Sequence, residues 1–444
     1  MKEIETKYEK IFFGDIPGIP DINVTISGCR FYPGGKFYDI ADFLNKVIHR
    51  WYVPEVKIEG LLMTLRRDIP VCNMPLKQAH EAYYDNMMSS HVAQLSGSGK
   101  LFISLGNGNG PLVYVIDTKR HKAGIFPEDF DSEYMCYTGT GDFTPDNKYW
   151  LFIRWPLKDS VDILNGIKNE AACQIGRINL VNYENEMFYE LDSPDFIHQI
   201  TCSPDYRYLV FTTFRSFPNV PYPECSFEDD PDGYKKSHEA GIALEKMVTI
   251  DLEKKIHWRT EIPVPAPAHF EFDPVDPHVF YVSAHNFSWA GSYANVILEG
   301  PAALFKMRIK DGETVVEKKY SDGNFLRITQ HMPFSYDGRT LIGVTNAPNY
   351  LDIIDADSMT LWRRVETYQA PSVDFTKTGN APCPRHPDMC LNVNPSRDGR
   401  YIVLESHKYY RIYDLLEDRF LENTVPLYLP DKAGRVGHTR IACQ

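Results

Sequence analysis

The chain has 444 residues with 43% hydrophobic and 13% aromatic side chains, enough core material for two domains or one large closed architecture, and too much for a disordered protein. Its 47 Lys and Arg against 60 Asp and Glu give a formal charge of −13, which excludes the basic surface that non-specific nucleic-acid binding requires. Tyr (27) and Phe (25) outnumber Trp (6), a balance that leans toward β-structure.

At the N-terminus, MKEIETKYEKIFFGDIPG scatters charges where a secretory signal would have an apolar core. No run approaches the roughly 18 apolar residues of a membrane span. The nine cysteines are odd in number, scattered and free of any CxxC pair, so reduced thiols and a cytoplasmic location are expected, and zinc-finger readings fail. Residues 41–52 (ADFLNKVIHRWY) predict a short helix on an N-terminal extension, and 52–66 can supply outer strands.

From Leu95 onward one pattern recurs: an apolar stretch, a Ser/Thr/Asp/Asn turn with Pro, Asp or Gly, then an alternating β-run. It occurs at LSGSGKLFISLG, FTPDNKYWLFIRW, CSPDYRYLVFTTF, FDPVDPHVFYVSAH, FSYDGRTLIGVTN and NPSRDGRYIVLESH. Taking the turns to start at Ser96, Thr144, Ser203, Asp273, Ser335 and Ser396, the steps are 48, 59, 70, 62 and 61 residues. A second strand follows in each unit, often closing on Asp (Asp117, Asp251, Asp355, Asp414), and then a third run such as KIHWRTEI. One strand before the turn and three after it make a four-stranded meander, which repeated in this way predicts an all-β, seven-bladed β-propeller. Six blades are direct. The seventh is expected to be closed by both termini, with residues 1–88 an N-terminal extension and part of the closing blade, 89–444 the propeller, and GHTRIACQ its closing strand.

Histidines sit four or five residues ahead of the turn: His198, His269 and His331 in three consecutive repeats and His91 in an earlier one, with His438 in the tail a further candidate. In a propeller this places them near the start of the innermost strand, at the channel mouth. Convergent neutral imidazoles are the commonest ligands of divalent transition metals, so His198, His269, His331 and His91 are the candidate metal set, for Mn, Fe or Zn. Offsets of four and five differ by one residue, which reverses the face in a regular strand; a bulge is therefore required in two of them. The alternative is a polar channel lining that binds only water. On the same side, the connection after the second strand carries Arg154, Arg215, His285, Asn346 and His407, and the long stretches 214–246, 285–302 and 368–389 form its rims. GNGNG (106–110) is a turn between strands, since a phosphate loop needs a following helix and Lys-Ser/Thr. EDDPDG (228–233) is a solvated acidic loop before it is a Ca²⁺ site, and no GxSxG elbow or HExxH pair is present.

The repeats HFEFDPVDPHVFYVSAH and HMPFSYDGRTLIG resemble blades of oligogalacturonate lyases, seven-bladed propellers whose inner-strand histidines hold a divalent metal, typically Mn²⁺. The resemblance covers about residues 195–415 and implies ligands at His269 and His331, with His198 as a further candidate. Where that family's last metal-bearing blade has an HxH pair, this chain has CLNVNPSRDG, with Leu391 and Asn392. The resulting expectation is a metal-dependent lyase acting by β-elimination on an acidic sugar or similar carboxylate: His285 or His407 as base, Arg154 and Arg215 binding the acid group, an oligosaccharide or small molecule as partner, and neither nucleic acid nor membrane. Another channel-histidine metalloenzyme, an oxygenase or an isomerase/cyclase, and a non-catalytic interaction propeller are the other readings.

Overall fold

A computed structural model describes residues 2–32, 35–54, 90–105, 113–126, 134–156, 173–192, 197–213, 246–261, 267–284, 287–289, 296–298, 303–321, 333–344, 349–368, 390–406, 408–429 and 438–441. Among them every regular element is a strand, and the strands form seven blades in a ring. Blade two is representative: Tyr134–Phe143, Tyr149–Pro156, Gln174–Asn179 and Asn185–Glu190 pair antiparallel in chain order from the inside outward. Blades three (from Ile197–Cys202) and four (from Pro267–Phe272) repeat it. In blade five Phe334 bridges Leu341 ahead of Thr340–Val344, and in blade six a two-residue outer strand, Arg419–Phe420, follows Tyr409–Asp414.

The side-chain period of two explains why the ring closes. In blade two, Trp150 and Phe152 pack with Val113 and Val115 of blade one, while Leu151 and Ile153 pack with Leu209 and Phe211 of blade three. The same alternation gives seven apolar clusters among the described residues, one at every seam, the last two joining blade six to seven and blade seven to one.

Turn chemistry sets the blade edges. After the inner strand, a Ser or Thr hydroxyl reaches the Asp two residues on and also accepts a backbone N–H from the next strand: Ser203 with Asp205 and Tyr208 is one case, Ser335 with Asp337 and Thr340 another. A second type of turn opens on Asp or Asn. Asp251 accepts the amides of Glu253 and Lys254, and Asp414 those of Leu416 and Glu417. Its fifth residue is left-handed each time: Lys46, His121, Tyr183, Lys255, Met359 and Asp418 all have φ between 52° and 62°.

The seventh blade has the spatial order Lys7–Phe12, Val47–Pro54, Gly35–Asp42, Thr25–Tyr32, the last lying nearest the inner strands of blades one and six. Residues 41–52 are therefore a strand, a turn and a strand. The helix expected there is replaced by the Asp-opened turn, in which Asp42 accepts the amides of Leu44 and Asn45. Both chain ends join the sheet of blade one: Lys2–Ile4 on its outer strand, and His438–Ile441, parallel, on its inner strand Ser90–Leu95. The boundary between residues 88 and 89 lies outside the described residues. Within the 285–302 connection, Phe287–Trp289 and Val296–Leu298 form a small ribbon, so this loop has strands of its own.

Arg50 and Asp39 fasten this closure from within. The guanidinium meets both carboxylate oxygens, at 2.8 and 2.7 Å, and donates to the carbonyls of Leu427 and Tyr428 at 2.7 and 2.8 Å. Deleting 436–444 removes the strand that, among the described residues, covers the inner edge of Ser90–Leu95. The expected result is insoluble or strongly destabilised protein, and a soluble truncation with an unchanged melting temperature would contradict it.

Candidate functional site

The inner strands of blades one, three, four and six all contain an extra residue near their start. Ser90 pairs with Leu105 but Ala93 with Ile103, and Ile197 pairs with Thr213 but Ile200 with Phe211. Pro267 pairs with Ala284 but His269 with Ser283, and Cys390 pairs with Ser406 but Asn392 with Glu405. Each bulge sets two residues of the inner strand against one of its neighbour. One rung of the ladder thus carries His91 and Val92 opposite Ser104, His198 and Gln199 opposite Thr212, Ala268 and His269 opposite Ser283, and Leu391 and Asn392 opposite Glu405. The backbone brings the offsets of four and five to a common level.

The side chains of His91, His198 and His269 lie outside the described residues, as do His331, His285, His407 and Arg215 altogether. No cluster of three His, Cys, Asp or Glu occurs among the side chains that are described. Three polar groups on the same rung are described, and none is evident from motif spacing. Ser283 is fully buried, and its hydroxyl has no hydrogen-bond partner among the described residues. Asn392 donates to Glu405 at 2.5 Å, with Glu405 completely and Asn392 almost completely withdrawn from solvent. A buried carboxylate beside a carboxamide and an orphan hydroxyl opposite a histidine are donors of the kind a hard-to-borderline divalent cation accepts, and their chemistry fits such an ion. The signal that could have found them is the alignment of blades by rung: Asn392 stands where His269 stands.

Blade two departs from the pattern. Between Tyr137 and Asp142 its inner strand has several extra residues, TGTG, and a Cβ on Gly141 would collide with the Leu151 carbonyl and the Trp150 ring, so only glycine fits that approach. Below it, Asp142 accepts the Thr201 hydroxyl and the Cys202 amide, both at 3.0 Å, which ties the inner strands of blades two and three together. Arg154, half-buried, pairs across the blade with Gln174. Its Nε donates to Gln174 Oε1 at 2.8 Å, and Gln174 in turn donates to Glu190 at 3.0 Å, so the guanidinium begins a polar row running outward along the sheet.

No protein-family model matches the chain, and no curated protein matches it. Among solved structures, an oligogalacturonate lyase in complex with manganese aligns over 96% of this chain and 98% of its own, at 13% identity and a TM-score of 0.46. A putative 6-phosphogluconolactonase from Bacteroides fragilis aligns over 93% and 97%, at 12% identity and a TM-score of 0.47. The β-propeller domain of Myceliophteria thermophila Cps50 (Swd1) aligns over 90% and 97%, at 11% identity and a TM-score of 0.46. The resemblance to oligogalacturonate lyases is weak, and propellers host many unrelated activities, so function has to be argued from the site.

Proposed function

We propose that the protein is a metal-dependent lyase that eliminates across the Cα–Cβ bond of a carboxylate substrate, an acidic sugar in the first instance. The observation that supports this reading is the shared rung: histidines recur at one level of the inner strands in blades one, three and four, and blade six continues it with Asn392 and the buried Glu405. His198, His269 and His331 would hold the cation, with His91 a further donor. A divalent ion bound there supplies charge to polarise the substrate carboxylate and acidify the proton next to it. The residues do the rest. His285 or His407 takes the α-proton, the electron pair forms the new C=C bond, and the glycosidic C–O bond breaks, its oxygen leaving as the alcohol with a proton taken from solvent. Arg154 and Arg215 hold the acid group, and an acidic protein that binds an acid must concentrate its cations in this way.

The test is to screen uronate oligosaccharides for the ultraviolet absorbance of an unsaturated product. Turnover is expected with the parent protein, and Arg215→Ala should slow it about 10²-fold, since one lost arginine–carboxylate contact costs a few kcal/mol at ~1.4 kcal/mol per decade. The melting temperature should hardly move. Absence of product from every uronate, in protein that contains metal, would favour an oxygenase or isomerase on the same histidines; absence of metal would favour a non-catalytic interaction propeller.

A further inference from the structure

Among the described residues, the seam between blades seven and one differs from the other six in holding two histidines inside one aromatic stack. Tyr8, on the outer strand of blade seven, lies nearly parallel to His121 of blade one with ring centroids 3.6 Å apart. The Tyr8 hydroxyl is 2.6 Å from Nδ1 of His49, and His49 stacks on Trp51, itself 1% exposed. Trp51 Nε1 and His121 Nδ1 are both buried without a hydrogen-bond partner among the described residues. The N-terminal segment straddles this stack, with Lys2–Ile4 in the sheet of blade one, Lys7–Phe12 in that of blade seven, and the Glu3–Lys122 ion pair beside it.

We propose that this seam is a pH-sensitive latch, which protonation of His49 and His121 opens by loosening the N-terminal strand pair from blade one. With the imidazole neutral and its proton on Nε2, the Tyr8 hydroxyl donates to His49 Nδ1; protonation turns that acceptor into a donor and leaves the hydroxyl proton without a destination. A second charge on His121 would then stand close to the first, across the Tyr8 ring. The neighbouring charges do not compensate. Lys10, on the strand of Tyr8, opposes protonation of both histidines; Asp42 favours it at His49 and Asp117 at His121. Asp117 is already engaged by the Lys100 ammonium and the amides of Lys119 and Arg120, with the Arg120 guanidinium 3.8 Å away.

Burial first, and Lys10 next, hold both imidazoles below their ordinary value of 6.5. A histidine depressed in the folded state contributes stability that is complete above pH 6.5 and lost as pH falls through that value toward the folded one. The latch is therefore shut at neutral pH and weakens in mild acid. An imidazolium over a tyrosine face gains some cation–π attraction, which acts in the opposite direction, and the measurement decides between them.

Amide hydrogen exchange, corrected for intrinsic chemistry, would be followed from pH 7.5 to 5.5 in Lys2–Ile4 and Lys7–Phe12, with Tyr208–Thr213 of blade three as control. The opening equilibrium of the N-terminal strands should rise by up to about tenfold per pH unit for each histidine, with the control unchanged. His49→Gln combined with His121→Asn should flatten the profile; asparagine tolerates the left-handed backbone at 121, where φ is 55°. If the double variant does not fold, His121→Asn alone should halve the logarithmic slope. A pH-independent profile, rising protection in acid, or a slope unchanged in the variants would overturn the proposal.

Discussion

Arg50→Met should be among the most destabilising single substitutions in the protein, lowering unfolding free energy by about 3–5 kcal/mol. Arg50 is 1% exposed and Asp39 fully buried, so the variant leaves a carboxylate in the core with no counter-charge and strips the Leu427 and Tyr428 carbonyls of their donor. The Phe37 ring, whose centroid lies 4.3 Å from the guanidinium carbon, loses its stacking partner as well. Chemical denaturation of the single variants and of Arg50→Met with Asp39→Leu checks the cause. The double variant should lose less than Arg50→Met alone, because removing both charges leaves nothing unpaired. A double variant as damaged as the sum of the two would show that packing, not charge, dominates at this site.

His269→Ala together with His331→Ala should abolish metal binding while leaving the far-ultraviolet circular dichroism of the folded protein intact. Elemental analysis of the parent protein is expected to find about one divalent transition ion per chain, as one converging set of imidazoles implies. Glu405→Gln keeps the size of the Asn392 partner and removes its charge, and if the pair supports the donor set, metal affinity should fall about 10–100-fold. Full metal retention in the double histidine variant would refute the assignment of these ligands.

How much of this was legible in the sequence differs from blade to blade. Blades one to six announce themselves because their turns need particular chemistry: in blades two, three, five and six a hydroxyl and the carboxylate two residues on are visible as letters, and blades one and four open the turn on Ser96 and Asp273. Blade seven has no such turn among its described residues, and there the apolar spacing misleads. Phe43, Val47, Ile48 and Trp51 recur as they would on a helix, and all are buried. Yet Phe43 and Ile48 face blade six while Trp51 faces blade one, so the spacing belongs to two faces of a sheet rather than to one stripe. The stretch DFLNK has the same form as DLEKK and DLLED, an Asp opening a five-residue turn, and that comparison identifies the hairpin. At the candidate site the histidines and the need for a bulge were legible, but not which residues are extra, nor that blades of both offsets carry one. A bulge is a mismatch in count between two strands, and Ala268 and Leu391 look like any other strand residue until the partner strand is known.

The bond from Arg50 to the Leu427 carbonyl joins residues 377 positions apart. During synthesis, blade seven is the first to leave the ribosome; one of its apolar faces finds blade one soon after, but the other meets blade six only when residues 401–427 have emerged. For most of translation that face and the inner edge of Ser90–Leu95 wait uncovered, and the strand that covers the latter ends at Ile441. Contacts this distant in sequence make for slow, aggregation-exposed folding. The nascent chain should therefore depend on holding chaperones until His438–Ile441 has emerged and paired with Ser90–Leu95.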